Sequence, residues 1–119
     1  MANKITILVK RIYDPASKSD GCRILVDRLW PRGMKKEDAH IDKWMKDVAP
    51  STALRKWFNH DADKWEQFRK KYYAELDRSA AHEELLAFIS ECKTVTFLFS
   101  SKEEKYNHAH ALQQFINSL

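Results

Sequence analysis

Three short runs of apolar and β-branched residues stand out from an otherwise mixed chain: residues 5–11 (ITILVKR), 22–29 (CRILVDRL) and Thr94–Phe99 (TVTFLF). Each is too short for a helix and gives way to turn-forming or polar residues, so each predicts a strand. Asp14 and Pro15 follow the first, Pro31 and Gly33 the second, and Ser100, Ser101 and Lys102 the third. The unbroken centre Ile24, Leu25, Val26 predicts a strand covered on both faces.

Between the second and third strands the period changes from two to that of a helix. Ser51 after Pro50 is an N-cap and predicts a helix over 51–58, and Trp65, Phe68, Tyr72 and Leu76 fall on one face of a helix over 61–78. A further helix over 82–92 aligns Leu85, Leu86, Ile89 and Cys92. Glu83 and Glu84 lie in its first turn, where the macrodipole favours acids. The last helix, over 106–118, turns Ala109, Leu112 and Ile116 inward, with Leu119 just beyond.

Strands separated by long helical connections are best satisfied by parallel pairing, because a helix carries the chain back to the starting edge. The expected fold is α/β: a small, mostly parallel three- to four-stranded sheet flanked by helices. It carries a helical insert between the second and third strands and forms one domain over residues 1–119. The segment 12–21 is either a compact crossover or a long hairpin loop, and the parallel arrangement is preferred.

Composition adds that 44% of the 119 residues are hydrophobic, with four Trp and six Phe, enough apolar surface to offset ordering entropy without a disulfide or a structural metal. Cys22 and Cys92 are far apart, in no C-x-x-C and with no histidine spaced to complete a zinc site, and read as free thiols. No metal and no cofactor are expected. Residues 1–10 lack the pattern of a secretory leader, and no window approaches the ~18 apolar residues of a membrane span, so a cytoplasmic protein without a membrane partner is expected.

The net charge of +4 is unevenly spread. Residues 1–60 carry 13 basic and 7 acidic groups, and residues 61–119 carry 8 and 10. The amino-terminal half is therefore positive and attracts phosphates, carboxylates or nucleic acid, unless the charge serves solubility alone.

In an open parallel sheet, ligands settle beyond the carboxyl ends of the strands. There the second strand delivers Asp27, Arg28, Trp30, Arg32 and Gly33, the third delivers Ser100 and Lys102, the first contributes Arg11, and the last helix opens with Asn107 and His108. A guanidinium holds a carboxylate or phosphate through paired charge-assisted bonds, each contributing ~1.5–3 kcal/mol. A helix amino terminus adds free N–H groups. The candidate ligand-binding set is Arg11, Arg28, Trp30, Arg32, Gly33, Ser100, Lys102 and Asn107, with Asp27 and His108 as candidate proton-transfer groups. The plainer alternative makes Arg28 an ion-pair partner of Asp27, Asp61 or another carboxylate, pinning the helical insert to the sheet.

Arg55, Trp57, His60, Asp61 and Lys64 form a second polar cluster that is either a lid or, as preferred, a turn and cap built on Asp61. His108 and His110 diverge by roughly 200° on a helix and cannot share a metal. The aromatic series between 57 and 73 reads as core rather than as a platform for bases. With Gly21 and Gly33 alone, the chain has no glycine-rich phosphate loop and no dinucleotide fingerprint, and it lacks a G-x-S-x-G elbow.

The segments VDRLWPRG (26–33) with the KKED that follows, APSTALRKWFNHD (49–61), KWEQFRKKYYAEL and TFLFSSKEEKYNHAHAL carry a resemblance across nearly the whole chain. They are similar to the YeaO-like branch of the domain-of-unknown-function family 488. Longer relatives have a Cys-His-Arg triplet where this chain reads Asn107, His108, Ala109, so chemistry that needs that thiol and guanidinium does not carry over. The resemblance implies the fold and the position of a site, and no activity. Two functions follow: binding of a small anionic, phosphate-bearing or nucleotide-like ligand at the strand ends, with or without hydrolytic or transfer chemistry; or, as the alternative, a non-catalytic nucleic-acid or protein interaction module using the basic amino-terminal half.

Overall fold

A computed structural model describes residues 5–119, so the part of the leader reading that concerns residues 1–4 lies outside it. Four strands, β1 (Thr6–Arg11), β2 (Cys22–Leu25), β3 (Lys43–Trp44) and β4 (Thr94–Phe99), form one sheet in the order β1-β4-β2-β3. Every pairing is parallel, with Thr6 opposite Thr94 and Cys22 opposite Val95. The segment 12–21 is thus a crossover and not a hairpin loop. It returns in ten residues, with one 3-10 turn at Lys18–Asp20 in place of a helix.

That short return works because it packs directly on the sheet. Gly21, at φ 65°, presses against the Thr94 backbone so closely that an added Cβ would fall 2.1 Å from the Thr94 carbonyl oxygen, and the buried Thr96 hydroxyl donates to Asp20 O at 2.7 Å. Asp20 takes up the charges beneath: Lys10 Nζ lies 3.1 Å from its carboxylate, and the buried Arg23 pairs with it while donating to the Ala39 and His40 carbonyls. Burial alone would raise the Asp20 pKa, but the Ser17 amide and the Lys10 and Arg23 cations outweigh it and hold the carboxyl below its ordinary value.

Five helices are present among the described residues: α1 (Lys36–Ala39), α2 (Thr52–Phe58), α3 (Trp65–Arg78), α4 (Ala81–Ile89) and α5 (His108–Asn117). Strand alternation divides the interior into two clusters. Ile24, Val26, Val95, Phe97 and Phe99 pack with Leu54, Phe68, Tyr72, Leu85, Ile89 and Leu112 from the last four helices. Leu25 and Leu98 pack with Ile12 and Ala39 beneath the crossover and α1. The β2 centre is fully buried.

The expected helix over 61–78 begins with a 3-10 turn at Ala62–Lys64 before α3, capped by Asp61, whose Oδ1 accepts the Asp63 N–H at 3.0 Å. The pattern did not announce β3 and α1, which span two and four residues. Backbone bonds hold β3, with Asp42 N donating to Arg23 O and Met45 N to Leu25 O.

Cys22 and Cys92 are joined in a disulfide with their Cα atoms 6.2 Å apart, which corrects the free-thiol expectation. A separation of 70 residues in sequence hid a spatial proximity that the register creates: Cys22 sits opposite Val95, three residues beyond Cys92. Among the described residues no helix is long and apolar enough to cross a membrane.

Candidate functional site

The parallel register brings the ends of β2 and β4 out side by side, and Asp27 ties them. Ser100 donates to Asp27 Oδ2 twice, from its amide at 2.9 Å and its hydroxyl at 2.6 Å. The Asp27 carbonyl accepts from Trp44 Nε1 at 2.8 Å, drawing in the end of β3. At the first turn of α5, His108 Nε2 stands 3.0 Å from Asp27 Oδ1 and 3.1 Å from Val26 O. Both neighbours are acceptors, so Nε2 carries the proton. The alignment favours Val26 O as its acceptor and leaves Asp27 Oδ1 close to Nε2 but without a hydrogen bond. Burial raises the Asp27 pKa, but His108 and the two Ser100 donors prevail and hold it below the ordinary carboxylate value.

Beyond this knot opens a cleft of about 500 Å³ between the β2 exit and the α2 segment. Arg28 links its two walls: Nη2 donates to Ala49 O at 3.1 Å and to Pro50 O at 3.4 Å, while the buried Nε has no partner. The guanidinium does pin the α2 segment, which follows β3 in the chain, to the sheet, but through carbonyls. Among the described residues it forms no ion pair, so its positive charge is not cancelled by a carboxylate. Glu75 of α3 steadies the same wall by accepting from the Ser51 amide and hydroxyl, while the Ser51 hydroxyl oxygen caps α2 through Leu54 N.

Of the residues singled out from sequence, Asp27, Arg28, Trp30, Arg32, Ser100 and His108 line the cleft together. Arg11, Gly33, Lys102 and Asn107 do not. Arg11 donates from Nε to Ser101 O and from Nη2 to Ser100 O, tying β1 to the end of β4. Buried Asn107 caps α5, accepting from His110 N at 3.1 Å and donating to Glu103 O at 2.9 Å. Gly33 lies in an open turn at φ 76°, and Lys102 is exposed. Trp30 donates to Met34 O and meets Trp44 edge-on, its centroid 5.4 Å away.

The α2 segment contributes Arg55, Lys56, Asn59 and His60 to the lining. Lys56 and Asn59 gave no sequence signal. Arg55 and His60 belonged to the second polar cluster, whose other members turn elsewhere: Lys64 Nζ donates to Trp57 O and lies over the Trp57 ring. Asn59 and His60 both adopt left-handed backbone, at φ 47° and 55°, the first as the C-cap of α2. His110 contacts Glu104 O while His108 faces Val26, so the two imidazoles diverge. Among the described residues no group of three His, Cys, Asp or Glu is placed to hold a metal ion.

Residues 6–119 match the family described as the inactive DUF488-N3 subclade. The chain belongs to that subclade. It is 46% identical to the uncharacterized protein YeaO of Escherichia coli (strain K12) over 115 residues, covering 97% of this chain and all of the relative. It is 37% identical to the uncharacterized protein Rv3073c of Mycobacterium tuberculosis (strain ATCC 25618 / H37Rv) and to Mb3100c of Mycobacterium bovis over 117 residues, with 98% of each chain covered. No solved structure matches. Ala109 is fully buried at the start of α5.

Proposed function

We propose that this protein binds a small anionic ligand in the cleft between the ends of β2 and β4 and the α2 segment. One observation carries the reading: four cations, Arg28, Arg32, Arg55 and Lys56, line a space whose sole carboxylate among the described residues, Asp27, accepts from Ser100 and lies 3.0 Å from His108 Nε2. Low-dielectric walls strengthen such an imbalance and draw an anion in. All four cations come from the amino-terminal half that carries the positive excess.

The chemistry present favours binding over turnover. A carboxylate held below its ordinary pKa is a weak base, and the Ser100 hydroxyl is spent on orienting it. Asp27 and His108 thus serve this reading as a scaffold that sets the cleft floor, and the description of the subclade as inactive agrees with it.

The test is calorimetric titration with inorganic pyrophosphate. Saturable binding is expected, with roughly tenfold or greater weakening in Arg32→Ala and again in Arg55→Ala, both exposed side chains whose loss spares the fold. Random DNA and RNA, titrated at two salt concentrations, provide the contrast. Polymer binding that falls steeply with salt and ignores both substitutions would replace the cleft reading with a surface one.

A further inference from the structure

We infer that the anion taken by this cleft carries a flat, ring-bearing body, as a nucleoside monophosphate does; the inference rests on the anion-binding reading above. The argument begins with size and surface. About 500 Å³ is space for a drug-sized molecule, of which a bare phosphate fills a small part. The cations occupy only some of the lining. Part of the rest is apolar: Leu29 and Pro31 on the β2 side, Pro50 on the α2 side, and Phe58 and Phe68, both nearly buried, with ring centroids 4.2 Å apart.

Leu29 makes the point most directly. It is 64% exposed, a large aliphatic side chain displayed beside a charged cleft while its neighbours Val26 and Pro31 are buried. Phosphate oxygens gain nothing from such a surface, whereas a ring laid against Leu29 and the edge of Trp30 removes it from water. Asn59 stands on the facing wall with its carboxamide exposed and without a protein hydrogen-bond partner among the described residues, so it is available to the polar edge of a heterocycle. Arg28, Arg32 and Arg55 then take the phosphate, a division of labour between apolar wall and convergent cations common to sites for phosphorylated heterocycles.

The experiment compares adenosine 5′-monophosphate, ribose 5-phosphate and inorganic phosphate on the intact protein at one ionic strength. Adenosine 5′-monophosphate is expected to bind at least tenfold more tightly than ribose 5-phosphate. Leu29→Ser, a surface change that spares the core, is expected to erase most of that advantage without altering ribose 5-phosphate affinity. Equal affinity for the two esters overturns the ring inference and leaves the anion reading standing. Failure of all three where pyrophosphate binds overturns the ring inference alone, and failure of pyrophosphate as well overturns the anion reading. An advantage of adenosine 5′-monophosphate that survives in both Leu29→Ser and Asn59→Ala also overturns the inference, because the ring then lies elsewhere.

Discussion

Ser100 reaches Asp27 with both of its donors, amide and hydroxyl, on a single carboxylate oxygen. This pairing joins the first residue after β4 to the β2 exit and keeps two parallel strands from splaying where the cleft begins.

The pairing sets the response to acid. Asp27 and Asp20 both titrate below the ordinary value of 3.8. A carboxyl with a lower pKa in the folded state stabilises the fold above its unfolded pKa, and that contribution vanishes as pH falls through the folded pKa. Stability measured by urea denaturation should therefore hold constant from neutrality to about pH 5 and fall below about pH 4. Asp27→Asn keeps an oxygen for Ser100 and should cost about 1–3 kcal/mol at pH 7. Its acid-side loss should be shallower than that of the parent, and an identical slope would show that Asp27 does not contribute.

The disulfide closes a loop of 70 residues. Chain-entropy arguments give about 4 kcal/mol for a loop of that length. Cys22→Ser, or reduction of the parent, should lower the unfolding free energy by an amount of that order, and the two should agree. A variant as stable as the oxidised parent would show that the bond constrains nothing.

The two glycines should behave differently. Gly21 sits at φ 65° and ψ −136° against the Thr94 backbone. Gly21→Ala is expected to cost about 3–5 kcal/mol from overpacking and backbone strain together. Gly33 has open space around its Cα, so Gly33→Ala should cost only the left-handed penalty of about 1–2 kcal/mol. Thermal unfolding of the pair checks the order.

Asn107 separates a cap from a ligand group. Its side chain is fully used at the start of α5, and Asn107→Ala should lower stability by about 1–2 kcal/mol. Pyrophosphate affinity should not change in the folded variant. Lost binding at unchanged stability would return Asn107 to the ligand set.

Much of the fold was legible because burial imposes a pattern. Ile24-Leu25-Val26 and TVTFLF are covered on both faces, and the helices from α2 onward show their apolar stripes at the proper spacing. Where pattern failed, the stabilising contacts leave no apolar trace. β3 is too short to show a period and is held by main-chain bonds and by the Trp44 bond to Asp27 O, and the crossover is shaped by a glycine and a carboxylate. At the site, strand-end logic assembled Asp27, Arg28, Arg32, Ser100 and His108, whose proximity follows from parallel register. It also gathered Arg11 and Asn107, because position at a rim does not reveal that a side chain is spent on backbone carbonyls or a helix end. Lys56 and Asn59 escaped notice because only the packing of α2 over the rim brings them in.

β2 is fastened at both extremities, covalently at Cys22 and through the Asp27 bonds beyond its other end. One jaw of the cleft is thus a fixed anvil. The opposing jaw is held by Arg28's bonds to two carbonyls, by Glu75's hold of Ser51 and by Leu54 and Phe58 in the core. Breathing of the cleft must come from that side, and amide exchange should run faster over residues 51–60 than along β2.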